Sequence, residues 1–336
     1  STFVALSSLL SRAGLAARIG SLFGDTRRVH EILGYKKVLE YRDFKARYLR
    51  QDIARAIIHA FPEATWGQPP LVLEDHDGET QTPFEMAWLA LSTRLDIAGV
   101  MERADRLAQL GRYSVLVVGL RGQQDLQTSA QRVRSPEDVL YLTPYSEEFA
   151  EIIRLEGNAS LPTFGQPSAY RLNVARGNMA QLTATLPWLT TNIHASRTVH
   201  IANNLLDDDI YGTPALEVIY DRLDDLLKVV GGASEMFWVD AKRRIVLALR
   251  DDYELSAEDA TALTTEIEEF SHEMRNFLRV KGVDVSTLTG QIADPEKHVA
   301  ALLMLISAAS GIPKRILLGS EEGQLAGAQD ERAWLA

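Results

Sequence analysis

The sequence contains no cysteine. This absence excludes disulfides, thiolate zinc sites, iron–sulfur sites and thiol nucleophiles, so any chemistry rests on oxygen groups and on the seven histidines. A long hydrophobic run is also missing. The longest run, residues 299–309, is about half of the roughly 20 residues that a membrane-spanning helix needs. We therefore predict no transmembrane helix.

Positive charge is scarce as well. The chain of 336 residues has 35 basic against 46 acidic side chains, a formal net charge of −11. This balance argues against a protein that binds nucleic acid through a broad basic surface. Hydrophobic residues make up 46% of the sequence, enough for a core in one large or two ordinary domains. The first residue is not methionine, and we expect a piece of a longer protein.

Helical and strand patterns both occur, and together they predict an α+β fold. Apolar residues at helical spacing predict helices up to Phe61-Pro62 and at 83–110, 214–230, 257–281 and 294–310. Strands are predicted at 113–120, as short segments between 139 and 201, and at 243–250. We divide the chain into an N-terminal helical region with one buried strand (1–138), a β-rich region (139–210) and a long-helix region (211–336).

The glycine-rich segment 311–327, GIPKRILLGSEEGQLAG, raises the question of a phosphate-binding loop. A P-loop needs G-x-x-x-x-G-K-[ST] after a strand, and here Glu321 and Glu322 stand where phosphate charge would bind. We predict instead a helix end at Gly311 and Pro313, a short apolar anchor at 316–318, and a turn-rich acidic segment.

Histidine, serine and aspartate occur together between residues 194 and 209, but no catalytic pattern frames them. Ser196 lacks a G-x-S-x-G elbow, and the aspartates at 207–209 lack the spacing of a calcium loop. His194 and Ser196 form one H-x-S element of a two-histidine phosphodiesterase, which needs two such elements. No other histidine, His200 included, has serine two residues later. We predict a structural turn, no catalytic residue, no metal site and no cofactor.

Basic and aromatic residues alternate at 41–48 (YRDFKARY), a composition compatible with nucleic-acid contact. Asp43 and Asp52 dilute the positive charge of this stretch. The sequence therefore favours a solvated helix face with two buried tyrosines.

Several segments, taken in order, resemble the portal proteins of tailed bacteriophages and prophages. They are 52–58 with Pro62, 104–120, 162–170 (PTFGQPSAY), 194–197 (HASR), 211–214 (YGTP) with its following helix, and 311–319 through 329–334 (QDERAW). The ordered set covers nearly the whole chain.

The resemblance implies a portal fold with helical stem and wing elements around a β-rich middle, assembled as a ring of typically twelve subunits at one capsid vertex. Double-stranded DNA would pass through the central channel, driven by the large subunit of a separate terminase, and the portal itself would catalyse nothing. The other partners implied are the major capsid protein and head–tail adaptor or neck proteins, with no membrane. The location implied is the virion, and the host cytoplasm during assembly. We expect the crown portion that follows Trp334 in the family to be absent.

On that resemblance we select two sets of candidate residues on the helices 214–230 and 257–281. The DNA-channel candidates are Lys228, Arg275, Arg279 and Lys281. The subunit-contact candidates are Leu223, Phe270, Met274, Phe277 and Trp334. The basic residues are equally compatible with solvated helix ends, where the helix dipole favours cations.

Two alternatives to the portal function remain open at this point. A portal-like domain also occurs in some anti-CBASS proteins that carry a cyclic-nucleotide phosphodiesterase, so the first is an enzyme centred on His194, Ser196 and His200. The second is a virion scaffold or adaptor without a channel, separable by whether an assembled ring has an opening wide enough for duplex DNA.

Overall fold

The computed structural model describes residues 32–74, 81–173, 190–241, 245–249, 283–287 and 294–319, with residues 261, 264 and 265 besides. The chain forms two compact units, one of residues 1–224 with 302–336 and the other of residues 225–301. Helices and antiparallel sheets make up the described part, so the α+β prediction is confirmed.

Four helices open the described chain. They are α1 (Tyr41–Arg50), α2 (Asp52–Trp66), α3 (Pro83–Leu95) and α4 (Ile97–Leu110). The predicted stop at Phe61-Pro62 is wrong, because α2 continues through Pro62 and ends before Gly67. Proline inside a helix costs about 3 kcal/mol, but Pro62 is buried and α2 packs along α4, so tertiary packing offsets that cost.

The helix predicted at 83–110 is two helices. Asp96 separates them in a left-handed conformation, with φ of 48°. The backbone therefore changes direction at Asp96, and the acidic side chain lies against Gly99, where an added Cβ would come within 3.0 Å of the Asp96 Cγ. Gly111 ends α4 as predicted.

Six short strands follow in two antiparallel sheets. They are β1 (Ser114–Leu120), β2 (Val139–Ser146), β3 (Ala150–Leu155), β4 (Pro167–Asn173), β5 (Thr190–His194) and β6 (Thr198–Ile201). Their orders are β2-β1-β6 and β3-β4-β5. In the first sheet Val115 pairs with Tyr145 on one side and His200 on the other, and in the second Tyr170 pairs with Ile193.

The central strand β1 is buried on both faces, as predicted. One face packs against α4. The other face joins the second sheet in one apolar cluster, whose members are Tyr113, Val115, Val117, Ala150, Tyr170, Leu172 and Ile193. Residues that alternate along β1 therefore hold the helical layer on one side and the second sheet on the other.

Helix α5 (Tyr220–Ala241) differs from its prediction at both ends. Residues 215–219 form turns, and the Glu217 amide donates to the Pro214 carbonyl over 3.0 Å, so the helix does not start at Pro214. The glycine pair at 231 and 232 does not end it. A glycine commonly ends a helix in the left-handed conformation, with positive φ, and neither glycine of this pair adopts it.

In the second unit, β7 (Ile245–Leu249) pairs with β8 (Val283–Thr287) in a two-stranded antiparallel sheet, with Leu247 opposite Val285. The first of these strands was predicted and the second was not. Almost all of the helix predicted at 257–281 lies outside the described residues.

The described chain ends with α6 (Glu296–Ser310) and the short α7 (Lys314–Leu318). Gly311 ends α6 with φ of 71°, as predicted, and the apolar anchor at 316–318 lies in α7, where Leu317 is buried. Among the helices described, none has the length and hydropathy to cross a membrane.

Candidate functional site

The subunit-contact candidate Leu223 lies on α5 and is fully buried in its own chain. Its carbonyl oxygen also accepts a hydrogen bond of 3.0 Å from the Gln51 side chain. A side chain without exposed surface does not reach a neighbouring subunit, so this placement argues against Leu223 as a contact. Its role is to pack the start of α5 against the helical layer.

The DNA-channel candidate Lys228 is exposed one turn further along α5, and its role stays a prediction. The remaining candidates lie outside the described residues. They are Arg275, Arg279, Lys281, Phe270, Met274, Phe277 and Trp334.

The basic and aromatic stretch at 41–48 forms α1, and its charges are used within the chain. Arg47 forms an ion pair with Asp224, and its guanidinium lies 4.9 Å from the ring centre of Tyr220. Lys45 pairs with Glu148 at 2.8 Å. The buried aromatic of this helix is Phe44. The two tyrosines predicted to be buried are only partly so.

A cleft of about 390 Å³ opens beside α1. Its charged lining residues are Glu40, Arg42, Arg112, Glu147, Glu148 and Glu217. Four carboxylates against two guanidinium groups make a poor phosphate site. Arg112 is moreover paired with Glu147 at 2.8 Å, which leaves this arginine tied to the chain's own carboxylate.

The His194 corner is a structural turn, as predicted. A 3-10 turn at Ala195–Arg197 joins β5 to β6. The His194 Nδ1 lies 2.8 Å from the Ser196 hydroxyl oxygen and accepts from the Ser196 amide. The same hydroxyl oxygen accepts from the Ala130 amide at 2.7 Å. Ser196 therefore ties the corner to the loop after β1.

Arg197 is the most deeply buried charged residue of this corner, with 1% of its surface exposed. Its Nε donates to the Thr128 carbonyl at 2.9 Å. The buried arginine thus anchors the loop around residue 128.

His200 occupies a separate, aromatic environment. Its Nδ1 lies 3.0 Å from the Tyr170 hydroxyl and its Nε2 lies 2.7 Å from the Ile210 carbonyl. A carbonyl oxygen only accepts, so Nε2 carries the proton and Nδ1 accepts from the tyrosine. Burial lowers the pKa of His200, and the ring stacks on Tyr113. Both nitrogens are therefore occupied within the described fold.

Gly212 in the YGTP segment is required by a close backbone approach, a role that sequence reasoning missed. Its amide donates to the Arg112 carbonyl at 2.8 Å. A Cβ at this position would overlap the Asn203 carbonyl group, at 2.9 Å from its carbon. The neighbouring Tyr211 packs edge-on to Tyr113. The segment thus adds Tyr211 to the aromatic cluster of Tyr113 and His200.

Of the three aspartates at 207–209, Asp208 stabilises a turn, because its side chain accepts from the amides of Ile210 and Tyr211. Over the residues that the structure describes, no group of three histidine or carboxylate side chains is placed to hold a metal ion.

Two gene transfer agent necks share the fold at low identity. The neck of a native gene transfer agent particle, computed with twelvefold symmetry, matches with a TM-score of 0.58 and 15% identity over 87% of this chain and 75% of that chain. The neck of an empty particle, computed with sixfold symmetry, gives 0.56 and 16% over 88% and 76%. An HK97 family phage portal protein from Corynebacterium diphtheriae gives 0.42 and 11% over 88% and 85%.

No curated protein matches the chain by sequence. The family model for the phage portal protein, in contrast, matches residues 43–336. This match begins inside α1 and extends over both sheets, the corner at His194 and the last two helices described. The chain belongs to the phage portal protein family.

Proposed function

We propose that copies of this chain assemble into a ring of twelve at one vertex of a capsid, and that double-stranded DNA passes through the central channel. The observation that carries the proposal is the match of the phage portal family to residues 43–336. The similarity of fold to a neck computed with twelvefold symmetry supports the subunit number.

The net charge suits a conduit rather than a binding site. Twelve chains at −11 each carry about −130. Carboxylates that face the channel repel the phosphates at close range, so the duplex slides instead of adhering. Isolated cations guide it, and we propose Lys228, Arg275, Arg279 and Lys281 for that role. They lie on α5 and on the predicted helix 257–281, which we assign to a stem- or clip-like region.

The proposed partners follow from the portal role. They are the major capsid protein, the large terminase subunit that drives packaging, and the adaptor or neck proteins that attach after packaging. Assembly takes place in the host cytoplasm and the finished ring remains in the virion.

The chain acts without catalysis in this proposal. What supports it is the use of the candidate groups within the fold: Ser196 binds the Ala130 amide, and both ring nitrogens of His200 have partners. Incubation of the assembled ring with a cyclic dinucleotide should leave the dinucleotide intact. Hydrolysis that disappears in His194→Ala, with ring assembly unchanged, would show an enzyme instead.

Negative-stain electron microscopy of the purified chain tests the ring directly. We expect annular particles with an open centre wide enough for duplex DNA, and a mass of twelve subunits by native mass spectrometry. A compact monomer contradicts the portal function proposed here. A ring whose centre is blocked supports a scaffold without a channel.

A further inference from the structure

Helix α3 is apolar on all sides and yet buries no residue. Eight of the thirteen residues in PFEMAWLALSTRL are apolar, and none of the thirteen is buried. A helix that is hydrophobic all round is normally buried in a core. The surface of α3 is therefore unusual for a free subunit in water.

The exposed part of α3 is large and continues beyond the helix. Phe84, Met86 and Leu89 keep 50%, 53% and 56% of their surface exposed. Leu71 and Leu73 in the preceding extended segment are also exposed. A hydrogen bond of 2.9 Å from the Glu74 amide to the Glu85 side chain holds that segment against α3. Met86, Leu89, Leu71 and Leu73 are called the α3 surface below, whereas Phe84, two positions before Met86, lies on the other side of the helix.

The charged groups of α3 are engaged within the chain. The Glu85 carboxylate accepts from the amides of Glu74 and Thr82. The Arg94 guanidinium donates to the carbonyls of Pro136 and Val139, both at 2.9 Å. Along the helix, the exposed residues Met86, Leu89, Ala90 and Thr93 follow at helical spacing on one face, and none is charged. The helical face of the α3 surface is thus uncharged, although the chain as a whole is acidic.

We infer that the α3 surface is the apolar centre of the contact with a second copy of this chain, an inference that rests on the proposed ring. Two copies at −11 each repel one another, so they approach most readily where both charge and polar groups are absent. An uncharged patch does not attract DNA or select a basic partner. In a ring, each subunit contacts one neighbour through one face and the other neighbour through a different face. The α3 surface therefore needs to be covered by only one of the two neighbours.

The size of the patch fits the centre of such a contact. Three side chains that are about half exposed, together with Leu71 at 82%, present roughly 400 Å² of apolar surface. A stable interface buries about 800 Å² per partner, with an apolar centre and a polar rim. The α3 surface therefore supplies about half of one partner's share, and the remaining area belongs to the rim.

Because the chain has no cysteine, a single introduced thiol reports one position alone. Leu89→Cys and Met86→Cys, labelled with a benzophenone maleimide and irradiated in the assembled ring, should give a ladder of covalently joined subunits on a denaturing gel. Leu206→Cys is the matched control. This leucine is 87% exposed but precedes three aspartates, and we expect no ladder from it.

Three outcomes overturn the inference. The first is a ring whose Leu89 and Met86 probes give no ladder. The second is cross-linking only within one chain, for example to residues 1–31 or 75–80, which would mean that the chain covers its own helix. The third is an equal ladder from the Leu206 probe, which would show random collision.

A charge on the α3 surface tests the same contact by assembly. Leu89→Glu should weaken subunit association at least tenfold by native mass spectrometry, because a carboxylate would be buried at the contact. The far-ultraviolet circular dichroism of the variant should stay that of the parent chain, since Leu89 is exposed in the subunit. Leu206→Glu should assemble as the parent does. If the parent chain forms rings and Leu89→Glu forms them equally well, the inference is wrong and the portal function stands. If the parent chain itself forms no rings, the proposed portal function is contradicted.

Discussion

The burial of His200 makes the stability of the fold depend on pH. Burial lowers its pKa below the ordinary value of 6.5, so the unfolded chain binds a proton at a pH where the folded chain does not. Its contribution to stability is complete above pH 6.5 and is lost as the pH falls through the lower, folded pKa. Protonation also removes the acceptor that Tyr170 uses.

We predict that acidification destabilises the parent chain more than a His200→Gln variant. The free energy of unfolding, measured by urea titration at pH 7.5 and pH 5.5, should fall further in the parent. The other histidines and the carboxylates titrate in both proteins and cancel in the comparison. Equal decreases would mean that the fold accepts a protonated His200 without cost.

Gly212 is a residue at which any side chain is excluded by the backbone. The predicted effect of Gly212→Ala is a loss of about 3 kcal/mol of stability, because the new methyl group overlaps the Asn203 carbonyl. Urea titration measures the loss. A change within about 0.5 kcal/mol, which is ordinary for a surface substitution, would show that the turn at 203 and 212 moves apart easily.

At the scale of elements, α5 passes through two glycines that would ordinarily mark its end. Nothing lies within 4 Å of a Cβ added at Gly231, and the position is helical. Gly231→Ala should therefore stabilise the chain by up to about 1 kcal/mol through helix propensity. Substitution of glycine by alanine is thus expected to stabilise the chain at position 231 and to destabilise it at position 212. A lower midpoint of thermal unfolding in Gly231→Ala would contradict this prediction. It would indicate that the backbone at the glycine pair is strained.

Local patterns predicted some elements well. The apolar run of β1 and the proline and glycine that flank α6 needed no tertiary information, since each signal is stronger than its alternatives. The break at Asp96 and the continuation of α2 through Pro62 had no such signal. For α2, packing against α4 overrides a proline propensity of about 3 kcal/mol.

At the scale of the whole molecule, the acidic charge opposes assembly of the ring. Repulsion between chains at −11 extends over about 30 Å at 0.01 M salt and about 10 Å at 0.1 M. We therefore predict that the ratio of ring to monomer increases when sodium chloride is raised from about 10 mM to about 150 mM. Light scattering after size-exclusion chromatography measures this ratio. Dissociation of the ring by salt would mean instead that ion pairs between subunits outweigh the net repulsion.

The sequence by itself determined the class of fold, the lack of thiol chemistry, the acidic balance and, through an ordered set of short segments, the portal family. These are properties of composition and local order, which do not depend on how distant parts of the chain meet.

The tertiary structure alone decided the roles of individual residues. It buried Leu223, which the helical stripe had suggested as a contact, and it left α3 exposed, although its composition is that of a core helix. The physical reason is that periodicity shows which side of a helix is apolar. Whether that side meets its own chain or remains open to a neighbour depends on contacts between residues far apart in sequence.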